Sequence, residues 1–277
     1  MSGGTASDRL KWEESQAGSA TPLDWSLLKQ VSRSFYLTLR LLPSKVREPI
    51  SLAYLLARLS DTEADGAVSE AERELLTRRP QLERALAASP DRAEIEKVWT
   101  TIQEGQRFDS ERFSHSEQPA LSDQNPPLSP AELDRYTYLV AGCVGEFWTE
   151  ICAKKLPGFA RLPVGEMQSL GIRYGQGLQL VNILRDRAAD AAIGRAYVPP
   201  HRLNETFLQA RHFLADAERY TRALTTRRLR SACALPFLMG RETLSLVEKN
   251  PDVAKMKLTR NRVWWLLVKS LGLRGSA

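Results

Sequence analysis

The segment 174–200, YGQGLQLVNILRDRAADAAIGRAYVPP, constrains the fold more than any other part of the chain. Apolar residues recur in it with helical spacing, and it ends at a glycine and a proline-rich exit, so it predicts an amphipathic helix with a defined stop. Asn182, Asp186 and Asp190 are spaced so that they share one face of that helix. The same stripe continues towards the N-terminus through Gln179, Gly175 and Gly171. A solvated polar face with a carboxylate pair would produce the same pattern.

Three glycines, Gly171, Gly175 and Gly177, lie within this predicted helix. Each costs about 1 kcal/mol relative to alanine in a helix interior, because glycine loses the most backbone freedom on folding. A helix that carries this cost usually has something packed close against it. We therefore expect a close neighbour at this helix.

A second acidic pair lies in the segment LAYLLARLSDTEAD. Asp61 and Asp65 have the same spacing as the first pair, and Arg58, Tyr54 and Ile50 precede them on one stripe that begins apolar and ends charged. Carboxylates on a core-facing stripe need cations or metal ions. Two such stripes can face each other across a helical bundle and bring four carboxylates to one pocket. Because Mg²⁺ prefers oxygen ligands and bridges to substrate phosphates, the pattern favours a diphosphate held through Mg²⁺.

Six blocks of the sequence together resemble the squalene/phytoene synthase family, whose members join two prenyl diphosphates at their C1 ends. In chain order the blocks are SRSFYLTLRLLP (32–43), ARLSDTEAD (57–65), DRYTYLVAGCVG (134–145), LQLVNILRD (178–186), GRAYVPP (194–200) and CALPFLMGRETL (233–244). The resemblance extends from about residue 27 to about residue 267. It implies an all-α fold, a single-domain helical bundle of the isoprenoid-synthase type around a central prenyl pocket. We expect this domain to occupy residues 24–277 and to follow a flexible tail, residues 1–23.

The resemblance also implies roles for individual residues. It implies a Mg²⁺ site, in which Mn²⁺ can substitute, with four catalytic metal ligands: Asp61, Asp65, Asp186 and Asp190. The residues implied for substrate binding are Ser32, Arg33, Phe35, Arg58, Gln179, Asn182, Arg185 and Arg195. Tyr136 takes the position of the family's active-site tyrosine, with Tyr138 as the neighbouring candidate. Without the resemblance, the serines would be helix caps, Tyr136 a packed core residue and the arginines surface ion pairs.

The implied reaction condenses two farnesyl diphosphates to squalene through a cyclopropyl diphosphate, with NADPH supplying the hydride. Lys257 and Arg260 lie near the basic element that the family's squalene-forming members associate with this cofactor. Presqualene diphosphate and dehydrosqualene are products of the same route, and a phytoene synthase acting on geranylgeranyl diphosphate is the alternative. The segments DTEAD, 136–145 and CALPFLMGRETL are slightly closer to squalene-forming members. Ala64 and Ala189 stand where the family often carries glutamate, which leaves metal affinity and metal number open.

The charge balance bears on the partners. The net charge of +6 and the isoelectric point of about 9.3 favour anionic partners such as diphosphates, acidic lipid headgroups or nucleic acid. Cys143, Cys152 and Cys233 have no metal-ligand spacing, so we expect reduced thiols in a cytoplasmic protein. We also expect neither a signal peptide nor a membrane-spanning segment, since no apolar run approaches about 20 residues.

The C-terminal segment 255–274 contains six basic residues, no acidic residue and the pair Trp264–Trp265. This pattern is typical of an amphipathic helix at a membrane surface. A packed terminal helix with a basic rim is the equal alternative. We expect a monomer that binds prenyl diphosphates and no nucleic acid. If the C-terminal segment is a membrane-surface helix, we also expect it to make peripheral contact with the cytoplasmic face of a membrane. The non-enzyme hypothesis is a basic helical protein that binds membrane or nucleic acid while its acidic stripes are solvated.

Local patterns predict the remaining helices. Pro49 fits the first turn of a helix, and the sequence Ser129-Pro130-Ala131-Glu132 is a helix start with a cap and an early acid. The other predicted helices cover 70–88, 91–105, 207–225 and 232–247, and a loop over the pocket is predicted for 107–130.

Overall fold

Helices form the fold in all parts of the chain that the structure describes. The structure is a computed structural model, and it describes residues 25–32, 35–65, 69–113, 126–250 and 257–273. Within these ranges the only extended pairing is an isolated bridge between Ala160 and Leu224, so the all-α prediction is confirmed. The predicted tail, residues 1–23, lies outside the described residues, and so does Arg33.

Twelve α-helices follow one another in the described ranges. The N-terminal ones are α1 (Trp25–Ser32), α2 (Phe35–Leu41), α3 (Ser44–Asp65), α4 (Glu70–Thr77), α5 (Arg79–Ala88) and α6 (Arg92–Arg112). The C-terminal ones are α7 (Pro130–Thr137), α8 (Cys143–Lys155), α9 (Val164–Ala192), α10 (Leu203–Ala223), α11 (Arg227–Lys249) and α12 (Arg260–Leu271). A π-helical turn, Tyr138–Gly142, joins α7 to α8, and a short 3-10 turn, Pro200–Arg202, precedes α10.

The acidic helix α9 lies at the centre and packs on α8, α10 and α11. Its glycines permit backbone-to-backbone contact: a Cβ atom on Gly175 would lie 2.0 Å from the carbonyl oxygen of Ala141, and one on Gly145 would lie 1.8 Å from that of Gly171. We call Gly145, Gly171 and Gly175 the glycine seam. For Gly171 and Gly175, the close neighbour expected at α9 is therefore α8 together with the π-helical turn before it, while Gly177 lies against Phe213 of α10.

The predicted stop of α9 is confirmed at Gly194. This residue has a φ of +78°, in the left-handed region that glycine adopts without steric cost. Its neighbour Arg195 donates its main-chain N–H to the carbonyl oxygen of Asp190 at 2.8 Å. The turn thereby reverses the chain and brings Arg195 and Tyr197 back beside the end of α9.

Two of the predicted helices that contain a proline have different bounds in the structure. The segment 70–88 forms two helices, because Pro80 has no amide hydrogen with which to continue α4 through Arg78. Pro49 lies inside α3 and not in its first turn, since that helix already begins at Ser44.

The helix predicted over 91–105 continues to Arg112, so the first part of the loop predicted over 107–130 was wrong. Residues 114–125 of that loop lie outside the described residues. The helix predicted over 207–225 is α10, which begins and ends earlier, and the predicted core helix 232–247 is the buried middle of α11.

All three cysteines are buried as free thiols, as the sequence predicted. Burial raises the pKa of Cys143 and of Cys152 to about 12, which keeps both thiols protonated.

The predicted start of α7 is confirmed as a reciprocal cap. The main-chain N–H of Glu132 donates to Ser129 Oγ at 3.3 Å, and Glu132 Oε2 accepts the main-chain N–H of Ser129 at 2.8 Å. The bonds from Ser129 lower the pKa of the Glu132 carboxyl.

Replacement of this cap carboxylate should have a pH-dependent effect. Glu132→Ala is expected to lower the free energy of unfolding by about 0.5 kcal/mol at neutral pH. Because the folded-state pKa is lowered, the contribution is complete above the unfolded-state pKa of about 4.3 and disappears as the pH falls through the lower folded value. Urea unfolding of the wild type and the variant at several pH values checks this, and an equal cost in acid would contradict it.

Candidate active site

A predominantly apolar cavity of about 400 Å³ lies among α2, α3, α8, α9, α10 and α11. Its aromatic walls include Phe35, Tyr54, Trp148, Tyr174 and Tyr220. Phe35 is one of the predicted substrate-binding residues, and its ring lies 5.1 Å from that of Tyr54. The cavity volume falls in the range of small-molecule sites.

Helix α9 supplies the polar part of the cavity wall. Gln179 and Asn182, both predicted for substrate binding, line the cavity, and Asn182 Nδ2 donates to Gln179 Oε1 at 3.4 Å. Asp186 lies one turn further along the same face. Its carboxylate pairs with the neighbouring Arg185, whose Nε lies 3.0 Å from Oδ1. The side chains of Arg185 and Asp186 are 31% and 28% exposed, so both remain accessible.

Helix α3 carries the second acidic segment. Tyr54 lines the cavity, and Arg58 and Asp61 follow one and two turns later on the same face. Arg58 Nη1 lies 3.8 Å from Asp61 Oδ2, and the other terminal nitrogen of Arg58 pairs with Glu72. The side chain of Asp61 is 44% exposed. On α3 the partly exposed Asp61 thus follows the residues that line the cavity, as Asp186 does on α9.

A second cavity, of about 230 Å³, lies beside the end of α9. Asp190 and Arg195, two of the predicted site residues, line it together with Arg187 and Tyr197. This cavity places Arg195 at the same end of α9 as the acidic residues.

Helix α6 connects the two acidic segments. Gln106 Nε2 donates to Asp61 Oδ1 of α3. Three residues later on the same helix face, Asp109 accepts the hydroxyl of Tyr197 at 2.6 Å and pairs with Arg195 Nη1 at 3.2 Å. Because one turn of α6 contacts both groups, Asp61 and Arg195 lie at the same end of the bundle.

Tyr136 is buried beside this connection and lines neither of the two cavities. Its ring stacks on Tyr197 at 5.2 Å and lies 6.0 Å from Phe108. Burial and the charge of Asp109 raise the pKa of its phenol, so the hydroxyl stays protonated. The structure thus shows Tyr136 as a buried residue packed on Tyr197, and the catalytic role implied for it stays a prediction.

The neighbouring candidate, Tyr138, lies on another face. Its hydroxyl donates to Glu146 Oε2 at 2.7 Å, and desolvation together with this carboxylate raises the pKa of the phenol to about 12. It lines neither of the two cavities that carry the acidic segments.

Besides Tyr136, several predicted site residues line neither cavity. Arg58, Asp61, Arg185 and Asp186 are among them, although they follow cavity-lining residues on α3 and α9, and the others are Ser32, Lys257 and Arg260. Ser32 is buried, and its hydroxyl donates to the carbonyl oxygen of Leu28 within α1, so it closes the helix and does not face the cavity. Lys257 and Arg260 are exposed where α12 begins and line neither cavity.

The predicted four-carboxylate cluster is described only in part. Among the side chains in the described ranges, no three His, Cys, Asp or Glu residues gather closely enough to hold a metal ion. Asp65 is the last residue of α3, and its side chain is not among those that the structure describes. The donors near the cavity are carboxylate and amide oxygens, the chemistry that Mg²⁺ prefers, so the residues present fit this ion.

The sequence interpretation missed Gln106, Asp109 and Tyr197. Asp109 was assigned to the loop predicted over 107–130, and Gln106 lay between the predicted helix and that loop, so the spacing of the two residues carried no meaning. In a helix that continues to Arg112, Gln106 and Asp109 lie on the same face as the buried Ile102. Two polar residues on a buried helix face are the signal that could have identified them as site residues.

Removal of the Asp109 carboxylate should destabilise the protein. Asp109→Leu leaves the Tyr197 hydroxyl and the Arg195 guanidinium without this acceptor, so we expect the free energy of unfolding to fall by about 1–3 kcal/mol. Tyr197→Phe removes one donor and leaves the Asp109–Arg195 pair intact, so its cost should be nearer 1 kcal/mol. Urea unfolding of both variants measures the difference, and equal stability of Asp109→Leu and wild type would contradict the connecting role of α6.

Comparisons with known proteins identify relatives of this chain. The profile of the squalene/phytoene synthase family matches residues 28–209. The chain is similar to the phytoene synthase of Thermus thermophilus, with 34% identity over 182 residues that cover 64% of this chain and 59% of the relative. It is 25% identical over 300 residues to the squalene synthase of Saccharomyces cerevisiae, which covers 91% of this chain and 67% of that protein. The bifunctional lycopene cyclase/phytoene synthase of Neurospora crassa is 27% identical, and the match spans 38% of its length.

Solved structures support the same fold. A ligand complex of TcSQS superposes with a TM-score of 0.72 at 21% identity and covers 89% of this chain and 85% of the other. A dehydrosqualene synthase in complex with a ligand gives a TM-score of 0.67 at 21% identity and covers 90% and 94%. In the described residues no helix is long and apolar enough to cross a membrane. Since the family profile covers most of the chain, the protein belongs to the squalene/phytoene synthase family.

Proposed function

We propose that this chain condenses two prenyl diphosphates through a cyclopropyl diphosphate in a Mg²⁺-dependent reaction, with two farnesyl diphosphates as substrates and squalene as product. The observation that carries the proposal is the position of the two acidic segments. Asp61 on α3 and the Arg195 turn after α9 are tied to one turn of α6, beside an apolar cavity. Charged groups at one end of an apolar cavity suit a ligand with a diphosphate head and a hydrocarbon tail.

The residues divide into two groups by chemistry. Asp61, Asp65, Asp186 and Asp190 would hold Mg²⁺, which when bound neutralises diphosphate oxygens and makes the diphosphate a better leaving group. Three arginines form ion pairs at the charged end of the apolar cavity: Arg58 with Asp61, Arg185 with Asp186, and Arg195 with Asp109. Each guanidinium group can also donate hydrogen bonds to a phosphate, because the three arginine side chains are 31–35% exposed.

The apolar cavity would hold the prenyl chains and exclude water. In the first step, the C1–O bond of one diphosphate breaks, the alkene of the second substrate attacks the resulting allylic cation, and loss of a proton closes the cyclopropane. In the second, the remaining diphosphate leaves and the skeleton rearranges to a cation; NADPH, when bound, would supply the hydride that converts this cation to squalene. Exclusion of water prevents capture of either cation as an alcohol.

Phytoene formation from geranylgeranyl diphosphate is the second candidate. It is favoured by the similarity to the phytoene synthase of Thermus thermophilus, at 34% identity. In that route no hydride is used and loss of a proton ends the reaction. The two candidates share every residue assigned above and differ in chain length and in the need for NADPH.

The test is incubation of the purified protein with farnesyl or geranylgeranyl diphosphate, each with and without NADPH, in Mg²⁺ and in chelator. Squalene from the C15 substrate, dependent on Mg²⁺ and NADPH, is the expected result. Phytoene from the C20 substrate without NADPH would establish the second candidate. Absence of diphosphate release from both substrates in Mg²⁺ would favour the non-enzyme hypothesis, in which the acidic segments are merely solvated.

A further inference from the structure

Helix α12 presents an exposed apolar face that the proposed reaction does not use. Trp264, Trp265, Val268 and Leu271 are 58%, 48%, 66% and 38% exposed. Their spacing puts Trp264, Val268 and Leu271 on one stripe with Trp265 beside it. The opposite side of the helix carries Leu266, which is fully buried against α11. The helix is therefore docked through one side, while its two tryptophans face outward.

Cations lie directly against this apolar face. The guanidinium carbon of Arg262 is 4.3 Å from the centre of the Trp265 ring, and Lys269 Nζ is 4.9 Å from it. Both distances are in the range of cation–π contact. Arg262 also pairs with Glu242 through Nη2 at 2.7 Å, so its charge is compensated, and Lys269 is the second cation beside this aromatic and aliphatic stripe.

A cluster of arginines continues from the end of α12. Arg227, at the start of α11, donates its Nε to the carbonyl oxygen of Leu271 at 3.1 Å. Arg230 donates its Nη1 to the carbonyl oxygen of Leu224 at 2.7 Å. Carbonyl partners carry no net charge, so these bonds do not neutralise the guanidinium ions. Desolvation by burial, followed by the charges of the nearby Arg161 and Arg227, lowers the pKa of Arg230.

Further arginines lie next to this cluster on α2 and α3. Arg47 donates to the carbonyl oxygen of Leu42 at 2.7 Å, and desolvation followed by the charges of Arg228 and Arg40 lowers its pKa. Arg228 follows Arg227 directly, so the second group of cations adjoins the first. We call the exposed face of α12 together with this group the tryptophan–arginine surface; its cationic members are Arg40, Arg47, Arg161, Arg227, Arg228 and Arg230.

We propose that the tryptophan–arginine surface docks on a phospholipid bilayer that contains anionic lipids. Tryptophan prefers the interfacial zone of a bilayer, and aliphatic side chains gain free energy from entering the acyl region. Basic residues near an anionic surface each add to binding, and here they form a continuous group beside the apolar stripe. This inference is independent of the proposed reaction, because it concerns binding by a surface outside both cavities.

Two other occupants fit the surface less well. A second copy of the chain in a two-fold arrangement would bring the same cations against each other, which opposes association. A nucleic acid would match the positive charge and stack on tryptophan, but Val268 and Leu271 would then remain exposed to water. An anionic bilayer satisfies both the charge and the apolar side chains.

The experiment is flotation of the full chain with vesicles of phosphatidylcholine, with and without phosphatidylglycerol. We expect binding to the anionic vesicles, at least tenfold weaker binding to the neutral ones, and weakening by added salt. Trp264→Ser with Trp265→Ser should reduce binding at least tenfold. Arg227→Glu with Arg228→Glu should reduce it by about fivefold or more for each charge removed.

Matched controls separate the surface from general effects. Leu208→Ser removes another exposed apolar side chain, and Arg84→Glu with Arg92→Glu makes the same change in net charge elsewhere; both should bind like wild type. Circular dichroism should report the same helix content and Tm for every variant, which removes unfolding as an explanation.

Several results would overturn the proposal. They are equal binding to neutral and anionic vesicles, equal loss in the control variants, or no binding to anionic vesicles at low salt. A dimer in light scattering that the tryptophan variant dissociates would assign the surface to a second copy. Binding to a DNA oligonucleotide without binding to vesicles would assign it to nucleic acid.

Discussion

Asp61→Ala and Asp186→Ala are each expected to lower Mg²⁺-dependent diphosphate release at least about 10²-fold, while leaving the fold intact. The physical reason is that a departing diphosphate carries charge that must be neutralised as the C1–O bond breaks. Each variant removes one carboxylate from an end of the cavity that can hold Mg²⁺. Both side chains are partly exposed, at 44% for Asp61 and 28% for Asp186, so neither is needed to fill the core.

Diphosphate release with a prenyl diphosphate substrate measures this effect, and thermal unfolding of the same samples checks the fold. Glu63→Ala is the matched control, because Glu63 lies in the same acidic segment and its carboxylate is directed to Arg79, whose Nε is 2.8 Å away. It should retain most of the activity. Full activity in both aspartate variants would remove the basis for the assigned site.

Gly175→Ala is expected to destabilise the protein by more than about 3 kcal/mol, which corresponds to a loss of at least 6–12 °C in Tm. The added Cβ would lie 2.0 Å from the carbonyl oxygen of Ala141. The backbone of α9 fixes the position of this Cβ, and the oxygen belongs to the backbone of the π-helical turn, so neither atom can move independently. The glycine seam would have to open for the methyl group to fit, and the packing of α8 on α9 would be lost along with it.

A glycine in the same helix provides the control. A Cβ on Gly165, in the first turn of α9, meets no atom within 4 Å. Gly165→Ala should therefore be neutral or stabilise by up to about 1 kcal/mol, because alanine loses less backbone freedom on folding. Calorimetry of the two variants measures the contrast. Equal Tm values for Gly175→Ala and Gly165→Ala would show that the seam is not in close contact.

The sequence predicted the parts of the fold that depend on local chemistry. The stop at Gly194, the cap at Ser129 and the close packing of Gly171 and Gly175 all follow from the preferences of single residues. The polar residues of α9 that line the cavity were predicted as well, because a helical period places them on one face.

The sequence could not predict features that depend on contact between distant helices. Asp109 is joined to Tyr197 and Arg195 only through the return of the chain after α9, which no local pattern encodes. The stack of Tyr136 on Tyr197 depends on the same return of the chain, so the position of Tyr136 in a motif could not reveal this packing. The break at Arg78 was missed because the apolar period continues across it.

The glycine seam has an evolutionary consequence. Where the two backbones touch, neither helix can accept a larger residue without displacing the other. Single substitutions at the glycine seam therefore cannot reshape this wall of the cavity. Divergence towards longer or shorter hydrocarbon substrates must then proceed through the other walls. Phe35 on α2, Trp148 on α8 and Pro236 on α11 line the same cavity and lie outside the glycine seam. We expect paralogues that differ in substrate length to vary at such positions and to keep the three glycines.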